Sequence, residues 1–162
     1  MKIWRSVLAG GLLLAAFGCG GPGTTEGSEA LDFTVENMNG KGETKLSDFK
    51  GKVVVVDFWA TWCGPCRQAM PHLDSLVRQY KDQGVVSMAI SDEPRDTIAA
   101  FAKEMKYGLT FYRDPFQLAN TKYDISSIPA TFVIGRDGKV VYAGNPPSPD
   151  ELTRAVESAV KG

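Results

Sequence analysis

Val53-Val54-Val55-Val56-Asp57-Phe58-Trp59-Ala60-Thr61-Trp62-Cys63-Gly64-Pro65-Cys66-Arg67 runs from four β-branched residues directly into a Cys-x-x-Cys motif. A continuous run of valines is the pattern of a strand buried on both faces. Beyond the motif, Ala69, Met70, Leu73, Leu76, Val77 and Tyr80 recur at helical spacing. They predict a helix from Gly64 to Gln83, closed by Gly84 and kinked at Pro71. Four readings of the cysteines compete at this strand–turn–helix junction. Structural zinc needs four ligands, and the remaining Cys19 and His72 do not plausibly supply two. A c-type haem site needs His after the second Cys, where Arg67 stands. A purely structural bridge across four residues constrains little chain entropy. A redox dithiol explains the placement.

Outward from this unit, the pattern alternates between strands and helices. Leu31–Val35 reads as a strand, Asn39-Gly40 as a turn, and Glu43–Leu46 as its hairpin partner. Val85–Ile90 predicts a second buried strand. A helix is expected around Ile98–Met105, a strand at Leu109–Tyr112 and weak helix over 116–123. Ala130–Ile134 and Lys139–Ala143 form a hairpin about Asp137-Gly138. A last helix starts at Ser148-Pro149-Asp150-Glu151, with Ser148 as cap and Glu151 completing a capping box. This order predicts an α/β domain, a mixed sheet flanked by helices.

The 162 residues suit one domain, and 43% hydrophobic with 23% charged residues is ordinary globular usage. A net charge of −1 gives no basic field for nucleic acid. Lys2 and Arg5 precede an uncharged Val7–Phe17 stretch, the pattern of a secretory signal. Eleven helical residues rise about 16 Å, short of a ~30 Å hydrocarbon core. Ala16-Phe17-Gly18-Cys19 resembles the end of a bacterial lipoprotein signal, which implies lipidation of Cys19. That leaves Cys63 and Cys66 as an even pair. The expected division is a signal over 1–18, a Gly/Thr/Ser tether over 19–30 and a folded domain over 31–162.

Val56–Arg67 resembles the active-site segment of a thioredoxin, and residues 30–161 resemble the membrane-tethered reductases of the TlpA/ResA family. The likeness includes the leading hairpin, the helix–strand insertion between Asp92 and Pro115, and Ile128-Pro129-Ala130-Thr131-Phe132. It implies a thioredoxin fold with Pro129 in cis, offering a backbone edge to an extended substrate. It also implies Cys63 as the exposed nucleophile and Cys66 as the resolving thiol, joined in a redox disulfide. The helix dipole and free N–H groups would stabilise the Cys63 thiolate. Gly64 and Pro65 let the chain turn, Trp62 shapes the rim, and Ile128 flanks the substrate edge. An ionisable Asp57 on a buried strand is anomalous and marks a functional group. Thioredoxins carry Asp there as proton acceptor for the inner Cys; TlpA/ResA-like proteins often use a Glu at the position of Glu93. Both carboxylates are candidates, whereas His72 reads as packed or solvated.

Gly-Pro between the cysteines and Ile128 before Pro129 are thioredoxin-like and favour reduction over a disulfide-donating oxidase. The resemblance implies no cofactor or metal. It implies a transmembrane thiol-reductase as electron donor and oxidised exported proteins, such as apocytochrome c, as substrates. The protein is expected to be exported and lipid-anchored, facing the periplasm or cell exterior. A redoxin-like thiol peroxidase shares Leu46-Ser47-Asp48-Phe49, but needs Thr three residues before its reactive Cys, where Ala60 stands. A non-catalytic binding module is signalled by loss of either Cys, and both are present.

Overall fold

The structure, a computed structural model, describes residues 24–40 and 42–162. The signal segment and Cys19 lie outside the described residues. Seven strands order as β2-β1-β5-β4-β3-β6-β7 in one mixed sheet. Their ranges are β1 Thr34–Asn37, β2 Glu43–Lys45, β3 Val53–Phe58, β4 Val85–Ser91, β5 Phe111–Arg113, β6 Ala130–Ile134 and β7 Val140–Gly144. Four helices flank it among the described residues: α1 Gly64–Tyr80, α2 Arg95–Met105, α3 Leu118–Lys122 and α4 Pro149–Lys161. β3, β4 and β5 run parallel, while β6 opposes β3 and β1 opposes β5.

β3 sits at the centre because every one of its residues is buried. Side chains alternate across a strand. Val53 and Val55 therefore join Met70, Leu73, Ile98 and Val156 in a core beneath α1, α2 and α4. Val54, Val56 and Phe58 join Phe33, Tyr123 and Phe132 on the other face. Asp57 continues the series of Val53 and Val55, so it faces the helix that carries the cysteines.

The valine strand and the Ala130–Ile134 strand fall where the sequence predicts them, and α1 starts at Gly64 as expected but ends at Tyr80, with Lys81–Gln83 continuing as a 3₁₀ turn. Gly84 closes the turn after α1 with φ +84°, a backbone conformation that favours glycine. Elsewhere the boundaries move. The first strand begins at Thr34, where pairing with Lys45 starts, and Leu46–Phe49 forms a 3₁₀ turn instead of extending the hairpin. Asp48 drives that turn by accepting the Lys45 N–H at 2.8 Å. Ser148 occupies the N-cap of α4 without a side-chain capping bond. Its N–H donates instead to the Tyr142 hydroxyl at 2.8 Å. Residues 27–30, grouped with the tether on composition, run along β7. Gly27 N–H donates to Val140 O, Val140 N–H to Ser28 O and Ala30 N–H to Gly138 O. An open sheet edge offers those groups. Among the described residues no helix is long and apolar enough to cross a membrane.

Candidate active site

The site forms where β3 ends. Trp59 N–H donates to Ile90 O, continuing the strand one step, and Cys63 N–H donates to Ala60 O, closing a tight turn. Cys63 is then the N-cap of α1, with extended backbone, and Gly64 and Pro65 form the exposed first turn. Cys63 Sγ accepts the Cys66 N–H at 3.2 Å, one of the orphan donors of a helix start. The two cysteines form a disulfide with Cα atoms 5.3 Å apart. In this oxidised state Cys63 is 4% exposed, so the nucleophile expected at the surface is covered. The motif meets solvent instead through Trp62, 74% exposed, and through Gly64 and Pro65.

Glu93 reaches the turn that delivers Cys63. Its carboxylate accepts the Thr61 N–H at 2.6 Å and the Thr61 hydroxyl at 2.7 Å, with Ser91 Oγ at 3.2 Å. Both oxygens are thus engaged in holding the Ala60–Trp62 turn, a positioning task. Glu93→Ala should lower stability by about 2 kcal/mol, since a partly buried N–H loses a charged acceptor. Urea unfolding checks this, and an unchanged midpoint would refute the clamp.

Asp57, near the end of β3 and on its α1-facing side, is buried. Burial pushes its carboxyl from an ordinary 3.8 up to about 7, against a smaller opposite effect from the Thr131 hydroxyl, which donates to Oδ1. That bond is 2.7 Å long. Thr131 is brought there by β6, whose Thr131 pairs with Asp57 in register. The Ile128–Pro129 peptide is cis, as expected, and the Asn145–Pro146 peptide is cis as well. Pairing of Phe58 with Ala130 sets Pro129 at the end of the sheet from which the motif emerges.

Beside the motif a groove of about 520 Å³ is lined by Trp59, Trp62, Asp92, Gln117, Ile125 and Ile128, among others. Trp59 packs against Phe101 and Phe111, with ring centroids 4.7 and 5.4 Å away. Among the described residues its Nε1 is a buried polar atom without a hydrogen-bond partner. The described residues hold no cluster of three or more His, Cys, Asp or Glu suited to a metal.

The structure brings Cys63, Cys66, Trp62 and Ile128 to one end of the sheet, with Asp57 beneath. Sequence reading missed Thr131 as partner of Asp57 and Thr61 as partner of Glu93. Threonine in a strand or a turn is too common to stand out. The strand alternation of β6 was the available signal for Thr131.

A central parallel strand, a Cys-x-x-Cys disulfide opening the next helix and a cis-proline before the opposing strand define a thioredoxin-fold protein with a dithiol site. The chain belongs to the AhpC/TSA family, whose model matches residues 27–143. It is 39% identical over 120 residues to the thiol-disulfide oxidoreductase ResA of Bacillus subtilis (strain 168), covering 72% of this chain and 65% of that one. The match thus spans a little under two thirds of this relative's length. Among solved structures, the thioredoxin domain of a thiol-disulfide oxidoreductase from Bacteroides vulgatus superposes with a TM-score of 0.74 at 27% identity. That similarity covers 84% of this chain and 98% of that one. A thioredoxin-family thiol:disulfide interchange protein from Chlorobium tepidum TLS gives 0.68 at 26% identity, covering 82% and 95%.

Proposed function

We propose that this protein is a thiol–disulfide oxidoreductase that reduces disulfides of exported proteins. The observation that carries the reading is the Cys63–Cys66 disulfide at the head of α1, which follows the strand that carries the buried Asp57. In the reduced enzyme the Cys63 thiolate attacks a substrate disulfide, forming a mixed disulfide and releasing one substrate thiolate. Cys66 then loses its proton, attacks Cys63 Sγ and releases the second thiolate, leaving the enzyme disulfide seen here. Two electrons pass to the substrate. Asp57, poised near 7, takes the Cys66 proton. Trp62 and the Ile128–Pro129 loop frame the approach of an extended substrate segment.

The relatives' names support the chemistry, and the N-terminal pattern supports the setting: export by residues 1–18 and anchorage by lipid on Cys19, outside the cytoplasm. Substrates in that setting are oxidised exported thiol proteins, apocytochrome c among them. A transmembrane thiol-reductase would resupply electrons, because an oxidising compartment does not. Ala60, three residues before Cys63, has no hydroxyl for peroxide chemistry, which weighs against a thiol peroxidase.

The reduction potential of the Cys63–Cys66 pair tests the direction. A value below about −220 mV supports a reductase, on a scale where thioredoxin lies near −270 mV. A value above about −150 mV overturns it in favour of a disulfide donor.

A further inference from the structure

A proton delivered to Asp57 must leave again before the next turnover, and the carboxyl is buried. A small cavity beside it offers a way out. Asp57 and Thr131 form one wall of a cavity of about 30 Å³. Ala69, His72 and Leu73 of α1 line it too, with Pro147, Pro149 and Leu152. Its wall is mostly apolar, with Asp57, Thr131 and His72 as the polar residues on it, and the volume is enough for a single water bonded to them, which needs about 10–15 Å³. His72, the chain's sole histidine, is half-buried, so it borders both the cavity and the surface.

The imidazole is oriented. The Thr153 hydroxyl donates its single proton to Pro149 O at 2.9 Å. Its contact with His72 Nε2 at 3.2 Å is then satisfied by the tautomer that carries the proton on Nε2. In that tautomer Nδ1 is the ring's proton acceptor. Asp57 and His72 are the two ionisable residues on the cavity wall. Around them, β6 contributes the neutral Thr131. α4 carries Asp150 and Glu157, a turn to each side of Thr153, and Glu157 already accepts the Tyr80 hydroxyl at 3.0 Å. Arg67, one residue beyond Cys66, lies over the Phe101 ring at 6.0 Å.

We infer that His72 is the proton relay between Asp57 and solvent, working through the cavity that the two residues share. This rests on the oxidoreductase reading above. When Cys66 resolves the mixed disulfide, its thiol proton goes to the Asp57 carboxylate. The carboxylic acid hands it across a water to His72 Nδ1, and the resulting imidazolium, a donor at both nitrogens, releases a proton to bulk water at the surface. No electrons move in this step, and each group returns to its starting charge. Imidazole suits such a task because it accepts at one nitrogen while donating from the other.

The test uses the reduced protein and 5,5′-dithiobis(2-nitrobenzoate). Attack by Cys63 releases a first coloured thiolate; resolution by Cys66 releases a second, in a phase that isolates the proton step. For His72→Asn the first phase should be unchanged and the second slowed about tenfold at pH 6, where Asp57 starts protonated and must first lose its proton, and little changed at pH 8. For His72→Gly, added imidazole should restore the second phase where equal sodium chloride does not. Near-UV circular dichroism matching the wild type shows that each variant is folded. If the wild type shows no second phase, the oxidoreductase reading fails. If it does, and both variants resolve at the wild-type rate at every pH without imidazole dependence, His72 is packing and the relay is refuted.

Discussion

A Cys63→Ser chain loses disulfide exchange by at least about a thousandfold, as expected when a nucleophile is removed. The reason lies in the start of α1. Cys63 is its N-cap, where the helix dipole and the free N–H groups favour negative charge, and its sulfur already accepts the Cys66 N–H. A serine hydroxyl placed there keeps the hydrogen bond but ionises far too reluctantly to attack a disulfide. Cys66→Ser behaves differently. It leaves Cys63 free to attack and removes the group that resolves, so substrate accumulates as a mixed disulfide. Intact-mass measurement after incubation with an oxidised substrate protein reads both results. Equal trapping by the two variants would sink the assignment of nucleophile and resolving thiol.

Asp57→Asn should stabilise the protein by about 4 kcal/mol at pH 8 and by almost nothing below pH 4, while slowing resolution by Cys66. The carboxyl ionises at 3.8 in an ordinary setting and at about 7 in the fold. Between those values the unfolded chain is ionised and the folded one neutral. Folding then takes up a proton, and stability falls about 1.4 kcal/mol per pH unit as pH rises. Above 7 both states are ionised and the whole penalty of enclosing the charge is in place. Asparagine keeps the shape and a bond to Thr131 without ever ionising. Denaturant unfolding of both chains at pH 4 and pH 8 reads the difference. A gap independent of pH would mean that Asp57 is not buried in its charged form. A neutral residue would serve the fold better, which accords with the proton-accepting role proposed for Asp57.

Much of this site is legible in the sequence. Cys63, Cys66 and Pro129 stand in motifs, and Asp57 stood out because a carboxylate interrupts a run of buried residues. Glu93 was visible as a carboxylate after the second parallel strand, yet its grip on Thr61 was not. The two residues are 32 apart in the chain and meet where two strand ends converge. Thr153 and His72 are 81 apart and meet because α1 and α4 pack on one face of the sheet.

The sequence alone determined the central valine strand, the redox motif at the head of its helix and the mixed sheet, because hydrophobic period and motif spacing are local properties. Only the tertiary structure decided what each polar group faces. Register against β6 brings Thr131 to Asp57, the open edge of β7 captures residues 27–30, and helix packing leaves a small cavity joining Asp57 to His72. Those are long-range contacts, set by how strands pair and helices stack, and no pattern within a single segment encodes them.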